Sequence, residues 1–408
     1  MSRMLRATAY LMVSLSLALV GAQALGPGPE AAGGGPATIY VDEAATGADD
    51  GGSWTDAYTD LQVALTSALS GSQIWVAEGT YKPGGDRTST FQLKNGVGLY
   101  GGFPQGGGDG TMGSRDPWRF TTILSGDIGV PDTATDNCYH VLTGNGTDST
   151  ALVDGFQVTA GQADGMGESA GGGMINSTGS PTIRNVVFVR NYAVTSGGAI
   201  ANANASPTME NVVFYGNRSG ASGGAVDNYK GSDPEINNAL FVGNTSSWGG
   251  GLNNTVSSSS LLRNVTMVAN EAEHDGAGIF TDDTSDSDVM NSIAWGNSPD
   301  QIYVDHAGGG TTSIYNSIVE GGCPTGVTCD QVLVDDPLFL RAPDAGTTAL
   351  AGPPPPSWGD DDDYYGDLRL QTDSPAIDSG NNARVRPGIG TDLMGNHRLS
   401  DGGAPGVT

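Results

Sequence analysis

Residues Ile183-Arg184-Asn185-Val186-Val187-Phe188-Val189-Arg190-Asn191 decide the fold, because the same frame returns again and again along the chain. It reappears as MENVVFYGN at 209–217, INNALFVGN at 236–244, LRNVTMVAN at 262–270 and VMNSIAWGN at 289–297. The closing asparagines, Asn191, Asn217, Asn244, Asn270 and Asn297, are spaced alternately by 26 and 27 residues. A second signature keeps step with the first: Gly171-Gly172-Gly173-Met174, Gly197-Gly198-Ala199-Ile200, Gly223-Gly224-Ala225-Val226 and Gly249-Gly250-Gly251-Leu252, with a decayed copy at Gly276-Ala277-Gly278-Ile279. A fixed period of this length marks a solenoid, in which one unit cannot bury its apolar face alone and stacked neighbours build a continuous core.

Each unit holds short β-branched and aromatic runs broken by Asn and Gly, which suits strands of three to five residues joined by tight turns. Ile183, Val186 and Phe188 are the expected core positions, with bends at Asn185 and Asn191. Stacking then places Phe188, Phe214 and Phe241 in one column at the strand spacing of about 4.8 Å, and burial of each ring stabilises by roughly 1.5 to 3 kcal/mol. The asparagines are placed to form an amide ladder from coil to coil, and the glycine pairs to supply left-handed turns and close backbone approach. The leucine-rich repeat shares the frame Ile183-x-x-Val186-x-Phe188-x-x-Asn191 and the period. The rest of each unit argues against it: glycines followed by Ser, Asn and Pro stand where that repeat has further leucines and often helix. The expectation is an all-β chain, a single-stranded right-handed parallel β-helix of 26 to 27 residues per clear coil with an N-terminal capping helix.

Working outward, strand-like runs at Gln73 to Ala77, Val97 to Phe103, Thr121 to Leu124, His140 to Thr143 and Leu152 to Thr159 read as irregular coils of the same helix. Before them, Leu61, Ala64, Leu65, Ala68 and Leu69 form one apolar face of a helix starting near Thr55 or Asp56, suited to shield the open end of the apolar column. At the start, Arg3 and Arg6, the apolar run Leu11 to Val20 and Ala22-Gln23-Ala24 make a secretory signal rather than a membrane span. The expected divisions are 1–24 signal, 25–36 Gly/Pro-rich leader, 37–72 first strand and capping helix, 73–340 β-helix, 341–366 Pro/Asp-rich linker and 367–408 terminal coil or cap.

The formal charge is −28, and two units more negative once Arg3 and Arg6 leave with the signal. Such acidity argues against nucleic-acid partners. Cys323 and Cys329, six apart in a Gly/Pro loop, form the disulfide candidate for an oxidising compartment, and Cys138 is odd. The histidines at 140, 274, 306 and 397 share no zinc-ligand spacing.

Here a resemblance becomes specific. Ile39-Tyr40-Val41-Asp42, Gly51-Gly52-Ser53-Trp54 and Ile74-Trp75-Val76-Ala77-Glu78-Gly79-Thr80-Tyr81 resemble the opening of bacterial surface β-helix proteins. Ser374-Pro375-Ala376-Ile377-Asp378-Ser379-Gly380 and Asp392 to Arg398 resemble elements of choice-of-anchor Q domain proteins, and the GGA-I and F-x-x-N pairs resemble repeats of polymorphic outer-membrane proteins. The resemblance implies a pectin-lyase-like β-helix, export and cell-surface display. No autotransporter-like barrel or sorting tail is recognisable after the repeats.

The expected function is adhesion, surface structure or binding of extracellular glycans or surface proteins, without catalysis. The alternative is a polysaccharide lyase or glycoside hydrolase, which requires paired carboxylates, or calcium-binding carboxylates beside an Arg or Lys base. Asp282, Asp283, Asp286 and Asp288, near Asp275 and His274, are the calcium candidates. Arg184 and Arg263 occupy one repeat position three coils apart, roughly 14 Å, too far for one clamp. Tyr192, Tyr215, Tyr229, Trp248 and Trp295 are candidates for a sugar-stacking stripe, with packing over turns as the plainer reading.

Overall fold

The computed structural model describes residues 37–282, 284–305, 310–343 and 366–393. The chain winds as a right-handed β-solenoid of about nine turns of about 26 residues, with one short α-helix. The hand is the one that twisted parallel strands impose on their crossovers.

One clear coil explains the others. Met174–Ser177 lies in one parallel sheet (sheet B), Thr182–Val189 in a second (sheet A) and Tyr192–Ala193 in a short third (sheet C). The next coil repeats this with Ile200–Ala203, Thr208–Tyr215 and Arg218–Ser219, in unbroken register Met174↔Ile200, Phe188↔Phe214 and Tyr192↔Arg218. Sheet A runs from Thr38–Val41 through Gln73–Ala77 and Gly98–Phe103 to Thr312–Val319 and Thr328–Leu333.

Ile183, Val186 and Phe188 are fully buried. Phe188 stacks on Phe214 at 5.6 Å between ring centroids, and Phe214 on Phe241 at 4.5 Å. The bend at Asn185 is real: Asn185, Asn211, Asn238, Asn264, Asn291 and Asn316 all have φ between 50° and 56°, a conformation asparagine tolerates better than most residues. The second bend falls one residue earlier than expected, at Arg190, Gly216, Gly243, Ala269 and Gly296. Asn191 is thereby free to turn inward.

The inward asparagines form the expected ladder. Asn191, Asn217, Asn244 and Asn270 each donate Nδ2–H to Oδ1 of the asparagine one coil on, at 2.9 to 3.1 Å for the first three and 2.8 Å to Asn297, and Gln301 Oε1 closes the row. A second buried ladder, Asn176, Asn202, Asn228 and Asn254, runs inside sheet B at 2.8 to 2.9 Å. In each glycine pair the first residue is left-handed and the second has a neighbour where Cβ would lie: at Gly198 that Cβ would sit 2.3 Å from the carbonyl oxygen of Gly224.

The capping helix spans Leu61–Ser67, with Asp60 as N-cap accepting from the Gln62 N–H. It starts later than Thr55 because Asp56 is engaged elsewhere, accepting from the Ala48 N–H and Ser53 Oγ. Leu61, Ala64, Leu65 and Ala68 join the main core, whereas Leu69 is 75% exposed, because Ala68 has already left the helix at ψ 132°. Lys94 Nζ reaches the C-terminal carbonyls, 2.9 Å from Leu65 O and 2.6 Å from Ala68 O, the end where a cation is favoured.

The segment 366–393 adds no further coil. Asp367–Leu370 pairs antiparallel with Phe339–Arg341, and Leu368, Leu370 and Leu393 pack on the outward residues Val189, Val213, Tyr215, Leu240, Val242 and Val268 of sheet A. The outer side of that sheet carries a second apolar layer, and the segment covers it as a strap. Residues 1–36, where the signal and leader are expected, most of 341–366 and the last fifteen residues lie outside the described residues.

Candidate functional site

Two outward columns carry the side chains with chemical potential. On sheet A, the residue preceding each bend faces outward, and the register joins Tyr100, Asp154, Arg184, Glu210, Asn237, Arg263 and Met290 in one line. Arg184 Nε lies 2.7 Å from Glu210 Oε2, Arg263 pairs with Glu235, and Arg115 pairs with Asp154. Arg386 of the strap pairs with Glu210 and reaches Glu235 at 3.6 Å. The strap is tied down further along, where the Asn381 N–H donates to Asn291 Oδ1 at 2.8 Å and the Arg384 guanidinium sits 4.0 Å from the Tyr315 ring centre. Arg184 and Arg263 are thus separate, each held by a glutamate.

Because Arg386 is partly exposed, its pairs contribute at most about 1 kcal/mol. Arg386→Ala is therefore expected to leave the β-helix circular dichroism intact while raising the rate of limited proteolysis within 366–393. An unchanged cleavage rate would show that the apolar contacts alone hold the strap.

On sheet B, the residue after the buried hydrophobic of each glycine signature faces outward. The register joins Ile175, Ala201, Asp227, Asn253, Phe280 and Tyr303. Phe280 and Tyr303 stack, 5.6 Å apart and 11° from parallel. Trp248, in the turn beside the column, meets Phe280 edge-on at 5.2 Å and lies 4.5 Å from the His274 ring. Trp248, Phe280 and Tyr303 are half-buried and His274 is exposed. Below this row, Asp227 is buried at 6% exposure and accepts from Asn253 Nδ2 at 2.6 Å. Burial pushes its carboxyl up to about 6, against the opposing hydrogen bonds from Asn253 and Ser196.

The expected aromatic stripe does not form from the residues proposed for it. Tyr215 is buried under the strap and Trp295 packs in the same layer. Tyr192 is in sheet C, and Tyr229 is exposed at the end of a sheet B strand. Trp248 alone belongs to the row. Phe280 and Tyr303 were missed, and His274 was read only beside the acidic candidates, because the glycine signature decays at 276–279 and has vanished before Ile302-Tyr303-Val304.

The acidic candidates are spread over different parts of their coil. Asp282 lies just past sheet B, accepting from the Val256 N–H at 2.8 Å and from Thr284. Partial burial opposes its charge, but hydrogen bonds from Ser285, Val256 and Thr284 outweigh it and hold the carboxyl below its usual value. Asp286 accepts from Thr311 Oγ1 at 2.8 Å, and Asp288 is exposed on the same strand. Asp275 sits in the turn before sheet B, and Asp283 lies outside the described residues. Among the described residues no three His, Cys, Asp or Glu side chains converge as metal ligands. Cys323 and Cys329 are bridged, with Cα atoms 6.1 Å apart. Cys138 is buried, and that burial pushes its thiol up to about 12, which makes it a poor nucleophile.

Three parallel sheets, inward asparagine ladders and a capped apolar column define a right-handed β-helix of the pectin-lyase type. The family described as right handed beta helix region matches residues 172–331. Among solved structures, pectate lyase Pel9A is similar over 90% of this chain and 97% of its own, with TM-score 0.51 and 14% identity. Pectin methylesterase PemA from Erwinia chrysanthemi matches over 77% of this chain and 84% of its own, with TM-score 0.32 and 11% identity. No curated protein matches the chain in sequence.

Proposed function

We propose that this chain is an exported, surface-displayed β-helix that acts in adhesion, surface structure or binding of extracellular glycans or proteins, and does not cleave them. Its choice-of-anchor Q and polymorphic outer-membrane resemblances belong to the same reading. The observation that carries it is the engagement of the sheet A charges. Arg184 and Arg263, with Arg386 of the strap, are tied to Glu210 and Glu235 across coils, so the arginines of this column serve the scaffold. Among the described residues no helix is long and apolar enough to cross a membrane.

One observation favours the alternative, a polysaccharide lyase or glycoside hydrolase. On an outward column, burial pushes the Asp227 carboxyl up to about 6, and a carboxyl so shifted is a general-acid candidate. Incubation of the purified chain with a polysaccharide panel, with and without calcium, separates the two. The expected result is no new unsaturated or reducing ends on any substrate. Cleavage abolished by Asp227→Asn, or by joint removal of the Asp282 and Asp286 carboxylates, would overturn the scaffold reading.

A further inference from the structure

We propose that the row formed by Trp248, Phe280 and Tyr303 on the outside of sheet B binds an uncharged polysaccharide laid along the helix axis, an inference that rests on reading the chain as a binding scaffold. Phe280 and Tyr303 repeat once per coil, and their ring centres are 5.6 Å apart. From Asn253 to Tyr303 the column rises roughly 10 Å, two strand spacings of about 4.8 Å. Elsewhere in the repeats, Phe188, Phe214 and Phe241 face the core and Tyr215 lies under the strap, while Tyr192 and Tyr229 stand apart from the row. Here His274, Trp248, Phe280 and Tyr303 meet in sequence at 4.5 to 5.6 Å, with the three aromatic rings half-buried and the imidazole exposed. Half-buried, mutually supported aromatics are rigid apolar faces at low entropic cost, and the C–H face of a pyranose ring is their complement.

The polar floor of the row continues the same column. Asn253, one coil before Phe280, is 1% exposed and donates to Asp227 while its own Oδ1 has no hydrogen-bond partner. An unpaired acceptor thus lies buried beneath the foot of the aromatic row.

The surroundings select against acidic sugars. In the coil beside Trp248, Glu273 accepts from Ser247 Oγ at 2.8 Å, and the Asp275 carbonyl accepts the Gly249 N–H at 3.3 Å, which fixes both carboxylate-bearing residues next to the rings. Asp227 lies at the other end, and the whole chain carries −28. A polyuronate would bring one carboxylate per sugar into that field and be repelled. A chain of neutral hexopyranosides brings stacking faces and hydroxyls without that repulsion.

Affinity electrophoresis of the purified chain tests this, with hydroxyethyl cellulose, xyloglucan, galactomannan and polygalacturonate each cast in the gel. At least one neutral polysaccharide is expected to retard the wild type. Trp248→Ala and Phe280→Ala should each weaken that retardation at least tenfold with unchanged circular dichroism, whereas Trp248→Phe, which keeps a ring, should retain most of it. Polygalacturonate should retard none of them. Retardation indifferent to both alanine substitutions, or equally strong on polygalacturonate, overturns the proposal. So does a wild type that no neutral polysaccharide retards, and that result leaves the scaffold reading standing, which falls only if cleavage is seen.

Discussion

Asn244→Ala is expected to destabilise the β-helix by about 4 kcal/mol, a large fraction of the 5 to 15 kcal/mol that holds a typical domain. Asn244 Oδ1 accepts both the backbone N–H and the Nδ2–H of Asn217, each at 3.0 Å, and its own Nδ2 donates to Phe214 O and Asn270 Oδ1. The side chain is fully buried. After truncation Asn270 Oδ1 keeps the Asn244 backbone N–H, but three buried groups, two on Asn217 and the Phe214 carbonyl, lose a partner. Each such loss costs about 1 to 3 kcal/mol. Urea unfolding followed by far-ultraviolet circular dichroism measures the effect. Because coils couple only to their neighbours, the variant is also expected to show a lower m-value, as the two sides of the break begin to unfold separately. A loss below about 1 kcal/mol would mean that the ladder is an ornament of a stack held by its apolar column.

Most of this scaffold was legible in the chain because a solenoid writes its three-dimensional neighbours into one dimension. Residues 26 or 27 apart touch, so the columns Phe188, Phe214, Phe241 and Asn191 to Asn297 could be read by counting. Errors arose wherever an interaction crossed that count. Asp56 is recruited by Ala48 and Ser53, so the capping helix begins at Leu61 and ends before Leu69 can bury. The strap returns over about 150 residues, from Thr391 to Asn238, a contact with no periodic trace. The acidic candidates Asp275, Asp282, Asp286 and Asp288 are neighbours in sequence, yet a sheet B strand at Ile279–Thr281 separates Asp275 from the others. The aromatic row was half hidden for a related reason. Its position is periodic, the residue after the buried hydrophobic, but its occupants Ala201, Asp227, Asn253, Phe280 and Tyr303 share no chemistry that a repeat search would notice.

That same column supplies the second large effect. Asp227→Asn is expected to stabilise the protein at pH 7 by about 3 kcal/mol and to leave it nearly unchanged at pH 4. The folded carboxyl is raised by burial from 3.8 to about 6, so between those values the folded state holds a proton that the unfolded state has lost. Stability contributed by this group is present in full below about 4, falls as pH rises through that window, and levels off above about 6. At about 1.4 kcal/mol for each tenfold difference in proton affinity, the whole window amounts to about 3 kcal/mol. The amide carries no charge to bury, can still accept from Asn253 Nδ2, and extends the coil-to-coil pairing already present there. The measurement is the difference in unfolding free energy between variant and wild type at pH 4, 5, 6 and 7. A difference that grows from near zero to a plateau is the signature of a buried, protonated aspartate. A constant difference, or one that shrinks with pH, would mean that Asp227 is charged throughout, with Asn253 and Ser196 outweighing the burial that now dominates it.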